Sequence, residues 1–311
     1  MRQGDLPFET FERILEQFPD LVHIELQGEG EPLMHPRFFD MAALARSRGI
    51  AVSIISNGSH FSPDTVARIL ETGLERINVS IESSDFGMFR VIRGGKLEKV
   101  IRGLELLVAE RAAGRLERPT IGFAVTVLKQ TLGALPGIMA LYRRLELDGG
   151  ITLQPLQQMA AYASCYDKAM TAQALTDAEA DAYTRRSLND PEFREIVRSA
   201  QRNGFYYGLR HSWSPASGTC PWLEEGGFID IDGNVMGCCS IKNPQFAFGR
   251  IGIDSPAHMG TARDQLRNEL QRRQIPEPCL RCPTAEQAVR RSRSPSSALL
   301  AISRTPPAHD A

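Results

Sequence analysis

Leu21-Val22-His23-Ile24-Glu25-Leu26-Gln27-Gly28-Glu29-Gly30-Glu31-Pro32-Leu33 runs from an apolar-rich stretch into a loop carrying two glycines and a proline. The switch from strand-forming residues to Gly and Pro marks a strand that ends in a turn. A helical pattern follows over about residues 38–47, with Gly49 placed as its C-cap. Upstream, Pro7 opens a helix over 8–18, with Phe8, Phe11, Ile14, Leu15 and Phe18 at helical spacing. Downstream the unit repeats. Strands are expected at 51–55, 76–81, 120–128 and 151–156, alternating with helices around 63–71, 97–113 and 135–145. Five strands alternating with helices imply an α/β fold with a parallel sheet and right-handed crossovers. Their Val and Ile content suits strands buried on both faces. A βα barrel or part-barrel is the first expectation and a flat doubly wound sheet the second.

The 311 residues balance 36 Lys and Arg against 37 Asp and Glu, so no strong field favours nucleic acid or anionic lipid. No apolar run approaches the ~18–20 residues that cross a bilayer, and the start lacks an apolar signal core. The expectation is a cytoplasmic protein without nucleic-acid or membrane partners. After residue 156 the pattern loosens: 177–204 reads as polar helices broken at Pro191, and 212–290 is rich in Gly, Pro and Cys. The expected organisation is a partial barrel over 1–160, a helical linker over 161–211, a small cysteine-rich α+β domain over 212–289 and a disordered Arg-, Ser- and Pro-rich tail over 290–311.

In parallel α/β folds ligands bind at the carboxyl ends of the strands. Those ends carry Gly28, Gly30, Glu31 and Pro32 after the first strand, Ser56-Asn57-Gly58 after the second, Ser80 and Glu82 on the third, Thr126 on the fourth and Gln154 on the fifth. Gly28 and Gly30 permit close backbone approach, and Pro32 restricts Glu31 to extended geometry. A carboxylate fixed beside exposed backbone suits a ligand ammonium, although a plain βα turn with a solvated Glu reads the same way. Ser80 and Glu82 lie two apart and share a face, placed to bind a ribose or an amino group.

The six cysteines are Cys165, Cys220, Cys238, Cys239, Cys279 and Cys282, five of them after residue 219. In a reducing compartment such clusters bind metal or do redox chemistry more often than they form disulfides. Asp232-Gly233-Asn234 predicts a hairpin that returns Cys238 towards Cys220. Cys279-Leu280-Arg281-Cys282 adds a pair able to grip one centre. Four sulfurs suffice for an iron–sulfur cluster or a tetrahedral zinc. Cys238 and Cys239 are adjacent, and neighbours on a strand face opposite sides, so one of the two is expected to serve; Cys165 reads as a free buried thiol.

These motifs together resemble the radical S-adenosyl-L-methionine (SAM) enzymes. Gly28-Glu29-Gly30-Glu31-Pro32-Leu33-Met34-His35-Pro36 is similar to the family's Gly-Glu loop, which follows the second barrel strand and holds the amino group of SAM; Glu31 is the matching carboxylate. Ser56-Asn57-Gly58 resembles a Thr-Asn-Gly segment, Val79-Ser80-Ile81-Glu82 a Val-Ser-Ile-Asp segment, and Arg93-Gly94-Gly95 the turn after it. Gln154 falls where the sixth strand meets the cofactor cavity. The spacing Cys220-x12-Gly233-x4-Cys238, with Phe248-Gly249-Arg250-Ile251 and Cys279-x-x-Cys282, resembles the short form of SPASM and twitch auxiliary-cluster domains.

The resemblance implies a partial parallel (β/α)6 barrel lacking its first strand, followed by the small auxiliary-cluster domain. It implies SAM as cofactor, one auxiliary 4Fe-4S cluster on Cys220, Cys238, Cys279 and Cys282, an external electron donor, and a small-molecule or peptide substrate from which a 5′-deoxyadenosyl radical abstracts hydrogen. The family's Cys-x3-Cys-x2-Cys loop does not occur in these 311 residues. The expectation is a gene that begins further upstream, where a second, catalytic 4Fe-4S cluster would find its ligands. A non-catalytic iron–sulfur relay and an α/β protein with structural zinc are the alternatives.

Overall fold

The computed structural model describes residues 4–156, 167–202, 220–280 and 282–291. Cys165, Arg281, most of the expected tail and parts of the expected linker lie outside the described residues. Strands β1 (His23–Glu25), β2 (Ala51–Ser56), β3 (Arg76–Ser80), β4 (Thr120–Val127) and β5 (Ile151–Pro155) form one sheet in the order of the chain. Each neighbouring pair is parallel. A doubly wound sheet reverses its strand order at a switch point; here the order never reverses, which is the winding of a barrel. Helices α1 (Phe8–Gln17), α2 (Phe38–Ser47), α3 (Pro63–Thr72), α4 (Phe86–Arg93), α5 (Leu97–Ala113) and α6 (Leu135–Arg144) precede and link the strands.

The strands are buried on both faces, but only one face is apolar. Val52, Ile54, Ile77, Val79, Ile121, Phe123, Val125, Ile151 and Leu153 belong to the main hydrophobic core. The alternate positions point to the opposite, concave face because strand side chains have a period of two. Those positions carry Ser53, Arg76, Asn78, Ser80, Thr120, Thr126, Thr152 and Gln154. Several are nonetheless buried, with Ser53 at 1 %, Asn78 at 2 % and Thr120 at 3 % exposure. The sheet thus packs its apolar face on helices and presents a polar face to the barrel interior. Gly122 lies on that polar face because nothing larger fits: a Cβ there would stand 2.8 Å from Asn78 Oδ1 and 2.6 Å from the Gly150 carbonyl.

Tyr142 of α6 locks the start of β5. Its hydroxyl accepts from the Gly150 N–H at 2.9 Å, and burial pushes its pKa up to about 12 from 10.0. A raised folded-state pKa means that the stabilisation is complete below pH 10 and fades as pH climbs towards 12. Tyr142→Phe is expected to cost about 1–3 kcal/mol at neutral pH, since the Gly150 donor loses its partner. It should also flatten the fall in stability between pH 10.0 and about 12, read from urea midpoints.

Beyond the sheet lie α7 (Lys168–Ala172), α8 (Asp177–Asn189) and α9 (Pro191–Arg202). The C-terminal part holds α10 (Pro221–Glu225), an antiparallel sheet of β6 (Phe228–Ile229), β7 (Asn234–Met236) and β8 (Gly249–Arg250), then α11 (Pro256–Gln271) and α12 (Pro283–Arg291). The final helix runs to Arg291, two residues into the segment read as tail. Helix α1 serves both parts. Phe11 and Leu15 enter the main core, whereas Ile14 enters a second core with Leu223, Val235, Phe248 and Leu270. Gln17 continues the junction, donating to the Asp254 carbonyl at 2.7 Å and accepting from the Gly252 N–H at 2.9 Å. No helix among the described residues is long and apolar enough to cross a membrane.

Candidate functional site

Glu31 stands at the head of a single 3-10 turn, Pro32–Met34, with extended backbone (φ −81, ψ 119), as the following proline demands. Its carboxylate is held from three directions. Oε1 accepts from Ser56 Oγ at 2.8 Å and from the Leu33 N–H at 3.3 Å; Oε2 accepts from the Asn57 N–H at 2.7 Å. The Gly-rich loop after β1 and the Ser-Asn-Gly at the end of β2 therefore form one structure. A carboxylate has about four acceptor positions, so three bonds leave room for roughly one further donor. Gln27, Gly28, Glu29 and Gly30 are exposed beside it.

Asn57 contributes through its backbone, since its side-chain Oδ1 accepts from the Ser59 N–H at 2.8 Å. Gly58 is required on two counts: φ is +71, and a Cβ would lie 2.7 Å from Val100 Cγ1. Its N–H donates to Ser56 Oγ at 3.0 Å, fixing the hydroxyl that reaches Glu31. His35 braces the loop from below. Its Nδ1 accepts from the Arg37 N–H at 3.0 Å, which leaves Nε2 to donate to the Leu6 carbonyl at 3.1 Å.

Ser80 ends β3 one residue beyond Val79, the register partner of Ser56. Glu82, two residues further on, is only 2 % exposed. Arg93 at the end of α4 takes both of its oxygens: Nε donates to Oε2 at 2.6 Å and Nη2 donates to Oε1. Glu82 is thus committed to an ion pair, a role the strand spacing did not reveal. Gln154 Nε2 donates to Thr126 Oγ1 at 3.4 Å across β4 and β5.

The cysteines gather in the C-terminal part. Cys220 precedes α10, Cys238 follows β7, Cys279 closes a 3-10 turn and Cys282 precedes α12. Cys220 and Cys279 are 8 % and 9 % exposed, and both pack with Cys282 in the second core. All five described cysteines are unbridged. Burial pushes the Cys220 and Cys279 thiols up, and the Cys238 thiol up to about 12. Charge on the neighbouring cysteines adds to this: Cys279 feels Cys282, Cys238 and Cys220, and Cys238 feels Cys239, Cys220 and Cys282. Backbone N–H groups of Trp222 and Leu223 bond the Cys220 sulfur, and that of Ser240 bonds Cys238. Among the described residues, no three His, Cys, Asp or Glu side chains close to the spacing of a single bound ion. A lone tetrahedral metal with bonds of about 2.3 Å would need sulfurs about 3.8 Å apart. A cube of four irons holds its sulfurs further apart, because each binds a different iron. The four are unbridged thiols within reach of one another's charge, with N–H donors on two of the sulfurs.

A family model, the radical SAM superfamily, matches residues 2–136. The chain is 26 % identical over 274 residues to the tungsten-containing aldehyde ferredoxin oxidoreductase cofactor-modifying protein of Pyrococcus furiosus, a match over 85 % of this chain and 71 % of that one. Among solved structures it is similar to anSMEcpe with bound AdoMet, at TM-score 0.61 and 15 % identity over 90 % of this chain and 78 % of the other. It is also similar to Streptococcus suis SuiB bound to the precursor peptide SuiA, at TM-score 0.65 and 13 % identity over 95 % of this chain and 68 % of the other. The sheet in chain order, the Gly-Glu loop at its rim and the matched segment agree: residues 2–136 match the radical SAM superfamily.

Proposed function

We propose that the chain carries the SAM site and an auxiliary-cluster site of an enzyme that starts its reaction by abstracting hydrogen from a small-molecule or peptide substrate. When bound, SAM and a reduced 4Fe-4S cluster supply the 5′-deoxyadenosyl radical for that step. The observation that carries the reading is the Glu31 carboxylate, fixed by Ser56 and Asn57 with an acceptor position to spare. Glu31 would receive the SAM ammonium, while the bare backbone of Gly28 and Gly30 lets the methionine end approach. Ser80 and Gln154 lie along the polar face where a ribose and an adenine need hydrogen-bonding partners. Glu82, held by Arg93, would shape that wall and keep a charge near the ribose. The auxiliary cluster would rest on Cys220, Cys238, Cys279 and Cys282, serving electron transfer or structure with electrons from an external donor. The cofactor-modifying relative and the peptide-bound neighbour support polar substrates of both kinds. The domain limits 1–160 and 212–289 are proposed on the same grounds.

Glu31→Gln keeps the shape of the site but removes its charge and sets an amide NH2 against one of the present donors. A charge-assisted bond is worth about 1.5–3 kcal/mol, so SAM affinity should fall roughly ten- to a hundredfold in equilibrium dialysis with labelled SAM. Equal affinity in the variant would overturn the assignment.

A further inference from the structure

Lys242 lies four residues past Cys238 yet reaches across to the loop after β1. Its side chain is only 5 % exposed, and Nζ lies 3.0 Å from Glu29 Oε1. The same ammonium stands 4.2 Å from the centroid of the Phe228 ring in β6. A buried ammonium needs a countercharge, and an aromatic face adds a weaker attraction. Both are supplied, one by each part of the molecule. The Ile241 N–H donates to the Cys238 carbonyl at 3.2 Å, so the lysine is tied to the cysteine segment by one short turn. On the other side, Glu29 is two residues from Glu31, whose carboxylate anchors Asn57 and Leu33. A continuous path of bonds runs from Cys238 to the Glu31 carboxylate.

We infer that Lys242 is a positioning residue: it straps the cysteine-bearing segment to the Gly28–Glu31 loop and so holds the Glu31 carboxylate in place. The inference rests on reading that loop as the SAM site, but the strap itself does not need SAM. Whatever fixes Cys238, a metal centre included, then also fixes the loop, and the coupling runs equally in the other direction. Other contacts join the two parts through α1, such as those of Gln17, and they hold the body of the barrel; Lys242 adds a contact at the rim.

The test reads the Glu31 carboxylate directly, through the amide hydrogens of Asn57 and Leu33 that it binds. Hydrogen exchange of the full chain, followed by NMR without SAM, should show these two amides exchanging roughly fivefold or more faster in Lys242→Met. Lys242→Arg should exchange like the wild type. Glu29→Gln alters an exposed side chain and should reproduce the Lys242→Met acceleration even where the buried variant folds poorly. The double variant should add nothing to either single one, the signature of a shared interaction. Unchanged exchange in Glu29→Gln would overturn the strap, as would additive effects in the double variant. If the amides respond but labelled SAM binds neither wild type nor variant, the strap stands and the SAM assignment of the loop falls.

Discussion

Replacing Arg93 by leucine is expected to destabilise the folded chain by about 3 kcal/mol, the largest loss foreseen for one surface-reaching side chain. The reason lies in its partner. Glu82 is 2 % exposed, and its two oxygens are bound by the Arg93 guanidinium in a fork. Removing one member of a buried pair strands the other charge in a poor solvent, at about 3–5 kcal/mol. The lower end applies because the Arg93 side chain is itself 32 % exposed and water can partly replace it. Arg93→Lys retains the charge but not the two parallel donors, and should fall between. Glu82→Leu combined with Arg93→Leu removes both charges and should recover much of the loss, since an apolar pair of similar volume often matches a buried ion pair. Urea denaturation at constant slope reads all three. An Arg93→Leu midpoint within about 0.5 kcal/mol of wild type would mean that Glu82 finds water or another partner, and that the wall it forms is softer than the geometry implies.

That pair also shows where sequence reasoning stopped. The βα alternation was legible because it is local: each strand and helix declares itself within a dozen residues, and the parallel order follows from the connections. The Gly-Glu loop was legible for the same reason, as Gly28, Gly30 and Pro32 have few alternative uses at a strand end. Helix α4 carries equally local signals, which the spacing of apolar residues alone does not reveal. Asp85 caps it through the Met88 N–H at 2.7 Å, and Gly94 stops it at φ +68. The polar concave face is also written in the chain, as the alternation of Arg76-Ile77-Asn78-Val79-Ser80, although strands buried on both faces are usually apolar on both. A barrel that encloses a polar ligand breaks that expectation, because its interior is buried without being dry.

Long-range pairings were out of reach for another reason. Lys242 and Glu29 lie 213 residues apart, and neither has local surroundings that single it out. Arg93 was noticed only inside a turn motif; its partner depends on how α4 folds back onto the end of β3. The two-sided use of α1 is intermediate. Its apolar positions were visible, but the division of Phe11 and Leu15 from Ile14 between two cores depends on the second core existing at all.

Anaerobic incubation of the chain with iron and sulfide is expected to load about four irons, and Cys220→Ala, Cys238→Ala or Cys279→Ala is expected to abolish that uptake and its visible absorbance. Cys239→Ala should keep both. The distinction follows from the spacing of Cys238 from Gly233 and from Cys279, whose charged neighbours include Cys282, Cys238 and Cys220. Iron retained in Cys238→Ala and lost in Cys239→Ala would reverse the ligand assignment. One zinc per chain, with bonds of about 2.3 Å by X-ray absorption, would replace the cluster with a structural ion. The thiols also fix the sign of the pH dependence. Burial raises the Cys238 pKa from 9.0 to about 12, so the folded apo chain favours neutral thiols. Its stabilisation is complete below pH 9.0 and lost as pH rises towards 12. Loading must expel those protons, so metal affinity should climb with pH over the same interval in which the apo chain weakens. Once the thiolates are bound to metal, alkali has no proton left to remove from them, and the loaded chain should keep its melting temperature where the apo chain loses it. Parallel alkaline melting of apo and loaded chain, with Tyr142→Phe as background, isolates the cysteine centre, because Tyr183, whose pKa burial also raises, contributes equally to both melts.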